Sequence, residues 1–157
     1  KLIGELDECF LAFDEICDKH GLEKIKTIGD AFMCAGGLPV PNNTHPADAV
    51  RAALEMDAWL KNRNKDNPEA IFREMRIGIH TGPVVAGVIG KNKFAYDIWG
   101  DAVNLAARLE ALGERGRINI SGSTAEAVKG LYKISYRGKK NVHNKGLVDM
   151  YFVEGEE

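Results

Sequence analysis

The sequence predicts an α+β domain in which a mixed, mostly antiparallel sheet is covered by helices. Three observations lead there. Residues 2–17 place Leu2, Ile3, Leu6, Cys9, Phe10, Phe13, Ile16 and Cys17 at three/four spacing, the mark of an amphipathic helix. Further on, Met75, Ile77 and Ile79 alternate with Arg76, Gly78 and His80, the period of a strand. The predicted order (helix, hairpin, helix, strands, helix, strand, helix, strands) departs from the strict alternation of a doubly wound sheet.

The elements follow in order. Gly21 is placed to cap the first helix, with Lys19 and His20 in its last turn. From Glu23 to Gly37 the pattern is strand, tight turn at Gly29-Asp30, strand. Residues 36–43 are a Gly/Pro/Asn loop. Asn43 or Thr44 caps a second helix, with Pro46 in its first turn, that runs to about Asn62 and buries Val50, Ala53, Leu54 and Trp59. Lys61 to Pro68 reads as a charged, mobile connection. Thr81-Gly82-Pro83 turns into a strand over Val84 to Ile89, and Gly90-Lys91-Asn92 turns into another over Phe94 to Trp99. A helix then starts at or just after Gly100. Ile118-Asn119-Ile120 is a short strand, and Ser121 or Ser123 caps a helix ending near Gly130. Tyr132 to Arg137 and Gly146 to Val153 are closing strands joined by a polar loop, Gly138 to Lys145.

A chain of 157 residues suits one domain, residues 1–157, with a real core. Its net charge of −2 offers no electrostatic reason for a nucleic-acid or anionic-membrane partner. No apolar run approaches the roughly 20 residues of a membrane span, and no signal peptide is visible. Cys9, Cys17 and Cys34 lack metal-ligand spacing and read as reduced thiols of a cytoplasmic domain. Because the chain opens at Lys1, inside a helical pattern, it is expected to be a piece of a longer protein, truncated at its N-terminus.

Polar groups gather at the strand-to-helix turn Phe94–Glu110. Asp101, Asn104 and Arg108 fall at i, i+3 and i+7 and so share one helix face. An amide and a guanidinium one turn apart can point at a single anion, while Asp101 suits the positive end of the helix. Asp97 lies just before the turn. Asp30, at a hairpin tip, is either an ordinary turn aspartate or a hard-cation ligand that needs a second carboxylate or substrate phosphates to complete the shell. Lys26 and Asp97 are ordinary surface charges apart, yet together could read a base edge. His80 reads as structural, having no partner nearby in sequence, and His20, His45 and His143 show no ligand spacing. The glycines from Gly82 to Gly90 match neither a phosphate loop nor a dinucleotide fingerprint.

Four segments carry a resemblance: Lys24–Met33, Arg76–Gly82, Gly87–Gly90 and Tyr96–Arg108. Their residues (KIKTIGDAFM, RIGIHTG, GVIG and YDIWGDAVNLAAR) resemble the class III nucleotidyl cyclases, the adenylate and guanylate cyclases. The match continues to Asn144-Lys145-Gly146 and the closing strand, nearly the whole chain. The resemblance implies a ferredoxin-like cyclase fold and, with Lys26 and Asp97 matching the pair that reads adenine, conversion of ATP to 3′,5′-cyclic AMP and pyrophosphate; guanylate cyclases carry Glu and Cys there. Asp30 matches the second of two aspartates that hold a pair of Mg2+ or Mn2+ ions. Asn104 matches the asparagine that orients the ribose, Arg108 the arginine that stabilises the reacting phosphate, and Lys145 a lysine that binds the triphosphate. A head-to-tail homodimer is implied, one subunit giving the metal carboxylates and the other the base-reading pair, the asparagine and the arginine.

Two departures follow from the same comparison. The first metal aspartate of the family lies on a strand ahead of the opening helix, and this sequence begins after it, so the fold is expected to lack that strand. Some members carry a phosphate-reaching arginine where Pro83 stands. The rival readings are a non-catalytic cyclase-like nucleotide-binding or dimerisation module, and a guanylate cyclase.

Overall fold

The computed structural model describes residues 1–157. It contains α1 (Leu2–Lys19), β1 (Glu23–Ile28), β2 (Ala31–Ala35), α2 (His45–Lys65), β3 (Ile77–Ile79), β4 (Val85–Ile89), β5 (Ala95–Trp99), α3 (Asp101–Ala111), β6 (Ile118–Ser121), α4 (Gly122–Ala127), β7 (Tyr132–Val142) and β8 (Gly146–Glu156). The α+β class holds. The expected single sheet is instead three: a four-stranded sheet in the order β3-β6-β8-β7 and two hairpins, β1-β2 and β4-β5. Between the strands, only the β3–β6 pairing is parallel and the other four are antiparallel.

α1 buries Cys9, Phe13, Ile16 and Cys17, one stripe of the predicted three/four pattern. Against it pack Ala52, Met56 and Leu60 of α2. The helix stops at Gly21, whose φ of 71° suits a residue without Cβ. There the Leu22 N–H donates to the Cys17 carbonyl at 2.9 Å and the Gly21 N–H to that of Asp18 at 3.3 Å, a paired C-terminal cap. A second core joins Val50 and Ala53 of α2 to Ile118, Ile120, Ala125, Val128, Tyr132 and Val153. Ser121 caps α4 by accepting from the Thr124 N–H.

α3 rests almost on bare backbone. A Cβ added to Gly78 of β3 would stand 2.2 Å from the Glu110 nitrogen and 2.7 Å from the Ala106 carbonyl oxygen, so only glycine allows this approach. Asn119 of β6, fully buried, donates to the Leu109 carbonyl at 2.8 Å, close to the helix's C-terminal end. Leu109 itself packs with Val142 and Met150. α3 is thereby fixed to β3, β6 and β8 at the level of its last turns.

Two expected connections prove to be ordered. α2 continues to Lys65, and the segment after it is tied down rather than mobile. Buried Asn64 donates to the Phe72 and Arg73 carbonyls at 3.2 and 3.0 Å. The Glu5 carboxylate, from α1, accepts from the Ile71 and Phe72 N–H groups at 3.0 and 3.2 Å. The polar loop expected over Gly138 to Lys145 is mostly strand: β7 runs to Val142, and its pairing with β8 closes at Val142–Gly146. What remains is a short turn with Asn144 at φ 65° and Gly146 at φ 78°.

Candidate active site

The β1–β2 hairpin reaches β5 at the site. Its register shifts between Lys24 and Lys26, an irregularity of the kind that re-aims a side chain. On β5, Asp97 lies opposite Gly87 of β4, which has no side chain to crowd it. Lys26 Nζ donates to Asp97 Oδ2 at 2.9 Å, and the Ile98 N–H donates to Asp97 Oδ1 at 2.7 Å. The Asp97 side chain is 9% exposed and that of Lys26 42%. The Lys26 ammonium, helped by the Ile98 N–H, holds the Asp97 carboxyl below the usual carboxylate range. Two residues 71 positions apart thus form a single oriented ion pair.

Gly100, with φ 131°, turns β5 into α3. Its carbonyl accepts from the Val103 and Asn104 N–H groups at 3.1 and 3.3 Å, so α3 starts where the sequence predicts. Asp101, Asn104 and Arg108 are all exposed on the face they share. The ion pairs of the chain run from Lys19–Glu55 to Lys145–Asp101, and Arg108 belongs to none of them. Of the apolar residues in and just after this helix, Ala107 and Leu112 are exposed and Leu109 is buried.

Lys145 reaches the same helix start. Its Nζ lies 2.7 Å from Asp101 Oδ1. Nothing in the sequence signals this contact, which depends on the β7–β8 turn folding back over α3. His80 is nearby: its Nδ1 is 2.7 Å from Ser121 Oγ and 3.3 Å from Ser123 Oγ. Burial, and behind it the Lys145 charge, holds this imidazole below its ordinary range. His80 is a hydrogen-bonded strand-end residue, with partners that lie 41 and 43 positions away in sequence.

Asp30 sits exposed in the β1–β2 turn, where Gly29 has φ 59°. It shares a hairpin with Lys26 but joins no ion pair with Lys26, Lys145 or Arg108. No group of three His, Cys, Asp or Glu side chains gathers anywhere in the chain. A divalent ion asks for about six oxygen ligands. One hairpin carboxylate does not supply them, so the residues present do not form a metal centre by themselves.

An oriented ion pair thus lies beside a helix that offers an exposed amide and an unpaired guanidinium, groups suited to a polar, anionic ligand. Family comparison makes the class definite. The model for the adenylate and guanylate cyclase catalytic domain matches residues 1–155, and the chain belongs to that family. It is 40% identical over 159 residues to an adenylate cyclase of Mycobacterium tuberculosis, covering 99% of this chain and 35% of that protein. It is 39% identical over 161 residues to guanylate cyclase 2D of Rattus norvegicus, covering 99% of this chain and 14% of that protein. The chain thus spans about a third or less of the length of these relatives. Among solved structures, the guanylate cyclase domain of RhGC from Catenaria anguillulae in complex with GTP superposes with a TM-score of 0.89. That match has 33% identity and covers 97% of this chain and 82% of the other. Class III cyclases use divalent metal ions. No helix of this chain is long and apolar enough to cross a membrane.

Proposed function

We propose that this is an adenylate cyclase catalytic domain, converting ATP to 3′,5′-cyclic AMP and pyrophosphate. The observation that carries the reading is the Lys26–Asp97 pair. A lysine can donate to adenine N1, whereas guanine N1 is itself a donor. An aspartate can accept from the adenine amino group, whereas guanine presents O6 there. Each guanine mismatch leaves a desolvated polar group unpaired, at a cost of about 1–3 kcal/mol. Lys26 and Asp97 keep hydrogen-bonding capacity beyond the contact they share, since an ammonium has three protons and a carboxylate about four lone-pair sites.

The reaction is attack of the ribose 3′-oxygen on the α-phosphorus, with pyrophosphate leaving in line. Little covalent chemistry falls to the protein, so positioning and charge stabilisation dominate. Asn104 orients the ribose. Arg108, with planar donors and no partner in the chain, meets the charge that builds on the phosphoryl oxygens. Lys145 binds the triphosphate. Asp30 would help to hold Mg2+ or Mn2+, two per site, whose charge would activate the 3′-oxygen and neutralise the triphosphate. The site forms between the subunits of a head-to-tail homodimer on the cytoplasmic side, Asp30 facing the other residues across the interface.

The test exchanges the base readers. Lys26→Glu with Asp97→Cys should reverse the ratio of kcat/KM for ATP to that for GTP, measured on the full-length protein. An ATP preference that survives the exchange would refute the assignment.

A further inference from the structure

We propose that Asp101 is an internal competitor for the substrate's phosphates: in the nucleotide-free domain its carboxylate occupies the Lys145 ammonium and weakens nucleotide binding. This rests on Lys145 being a triphosphate ligand. The contact is short, 2.7 Å between Lys145 Nζ and Asp101 Oδ1. The lysine is presented by a turn with little freedom. Asn144 and Gly146 both hold left-handed φ values, 65° and 78°, and the Lys145 N–H donates to the Val142 carbonyl at 2.9 Å. Its side chain is 25% exposed, so the ammonium is directed at the start of α3 rather than into solvent.

Asp101 is the first residue of α3, where unpaired N–H groups and the helix dipole favour an anion. The Lys145 ammonium lies at this helix start, and its partner there is the Asp101 carboxylate. A phosphate approaching Lys145 needs that same place and meets a like charge there. The turn is already closed by its own backbone, so the ion pair is not required to hold it. Asp101 is 88% exposed, and pairs so exposed are weak enough to be displaced. That suits a competitor better than a permanent clamp.

The experiment uses the full-length protein with Asp101→Asn, Lys145→Ala and both together. It measures KM for ATP and the inhibition constant of inorganic pyrophosphate. Lys145→Ala should raise KM. Asp101→Asn should lower KM for ATP by about two- to five-fold, the range of an exposed pair, and tighten pyrophosphate inhibition similarly. In the Lys145→Ala background most of that gain should vanish. An unchanged or raised KM in Asp101→Asn overturns the proposal, because the carboxylate then only starts the helix or steadies the lysine. An equal gain in both backgrounds also overturns it, as the effect would not pass through Lys145. An unchanged KM in Lys145→Ala removes instead the reading of Lys145 on which the proposal stands.

Discussion

The Lys26–Asp97 pair and the Asn104–Arg108 face lie at opposite ends of the β5–α3 turn and treat charge in opposite ways. Asp97 is nearly buried and bonded on both oxygens, one to the ammonium of Lys26 and one to its neighbour's N–H. Arg108 is exposed and belongs to no ion pair. The difference suits the two kinds of work proposed for these regions. Telling adenine from guanine requires polar atoms already fixed in place, because a mobile reader could adapt to the wrong base. Stabilising a transition state requires a group not spent on the ground state, because only interactions that strengthen during the reaction raise kcat.

The strongest way to break this contrast is Arg108→Ala. Loss of a donor aimed at developing charge costs about 10²–10³ in kcat, and KM for ATP should change little. Steady-state kinetics on the full-length protein decide it. An equal loss in kcat and in ATP affinity would make Arg108 a ground-state binder, and the two regions would then differ only in exposure.

A smaller effect sharpens the contrast. Gly78 lets α3 lie on β3, and a methyl there has no room. Overpacking of this kind costs typically about 1–3 kcal/mol, and a domain of this size loses about 2–4 °C of thermal midpoint per kcal/mol. Gly78→Ala should therefore lower the melting temperature by several degrees and, by shifting Asn104 and Arg108, lower kcat. Lys26 and Asp97 sit on β1 and β5, so the ATP-to-GTP ratio should persist. A change in that ratio would show that the two regions are one mechanical unit.

These contacts also show what the sequence discloses and what it does not. The stripe of α1, its stop at Gly21, the Gly29-Asp30 turn and the start of α3 at Gly100 were all legible, because each depends on neighbours within a turn or two. The end of α2 and the order of residues 66–73 were not. Polar composition there suggests mobility, and the groups that pin it include Glu5, 66 and 67 positions away. The strand character of 138–142 was hidden because Lys139 and Asn141 are exposed while Lys140 is half-exposed, leaving buried Val142 as the main apolar signal. Division of the expected sheet into three reflects pairing choices that alternation alone does not encode. Within the site, the α3 face followed from helical spacing, whereas the meeting of Lys26 with Asp97 and of Lys145 with Asp101 is tertiary and needed the fold.

The smallest predicted effect concerns pH. Asp97 titrates below the usual carboxylate range in the folded domain, first because of Lys26. In the unfolded chain an aspartate titrates near about 3.9. With the folded value the lower of the two, the folded state holds fewer protons in that region. The contribution of the pair is then complete above the unfolded value and is lost as pH falls through the folded one. The gap in thermal midpoint between the wild type and Asp97→Asn should stay constant from about pH 5 to 7 and close below about pH 4. Arg108→Ala serves as the control, because an unpaired guanidinium has no carboxylate partner to lose: its gap should be flat across the same range. If it closes in step with that of Asp97→Asn, Arg108 has an acidic partner in solution and is not the free cation that the contrast requires.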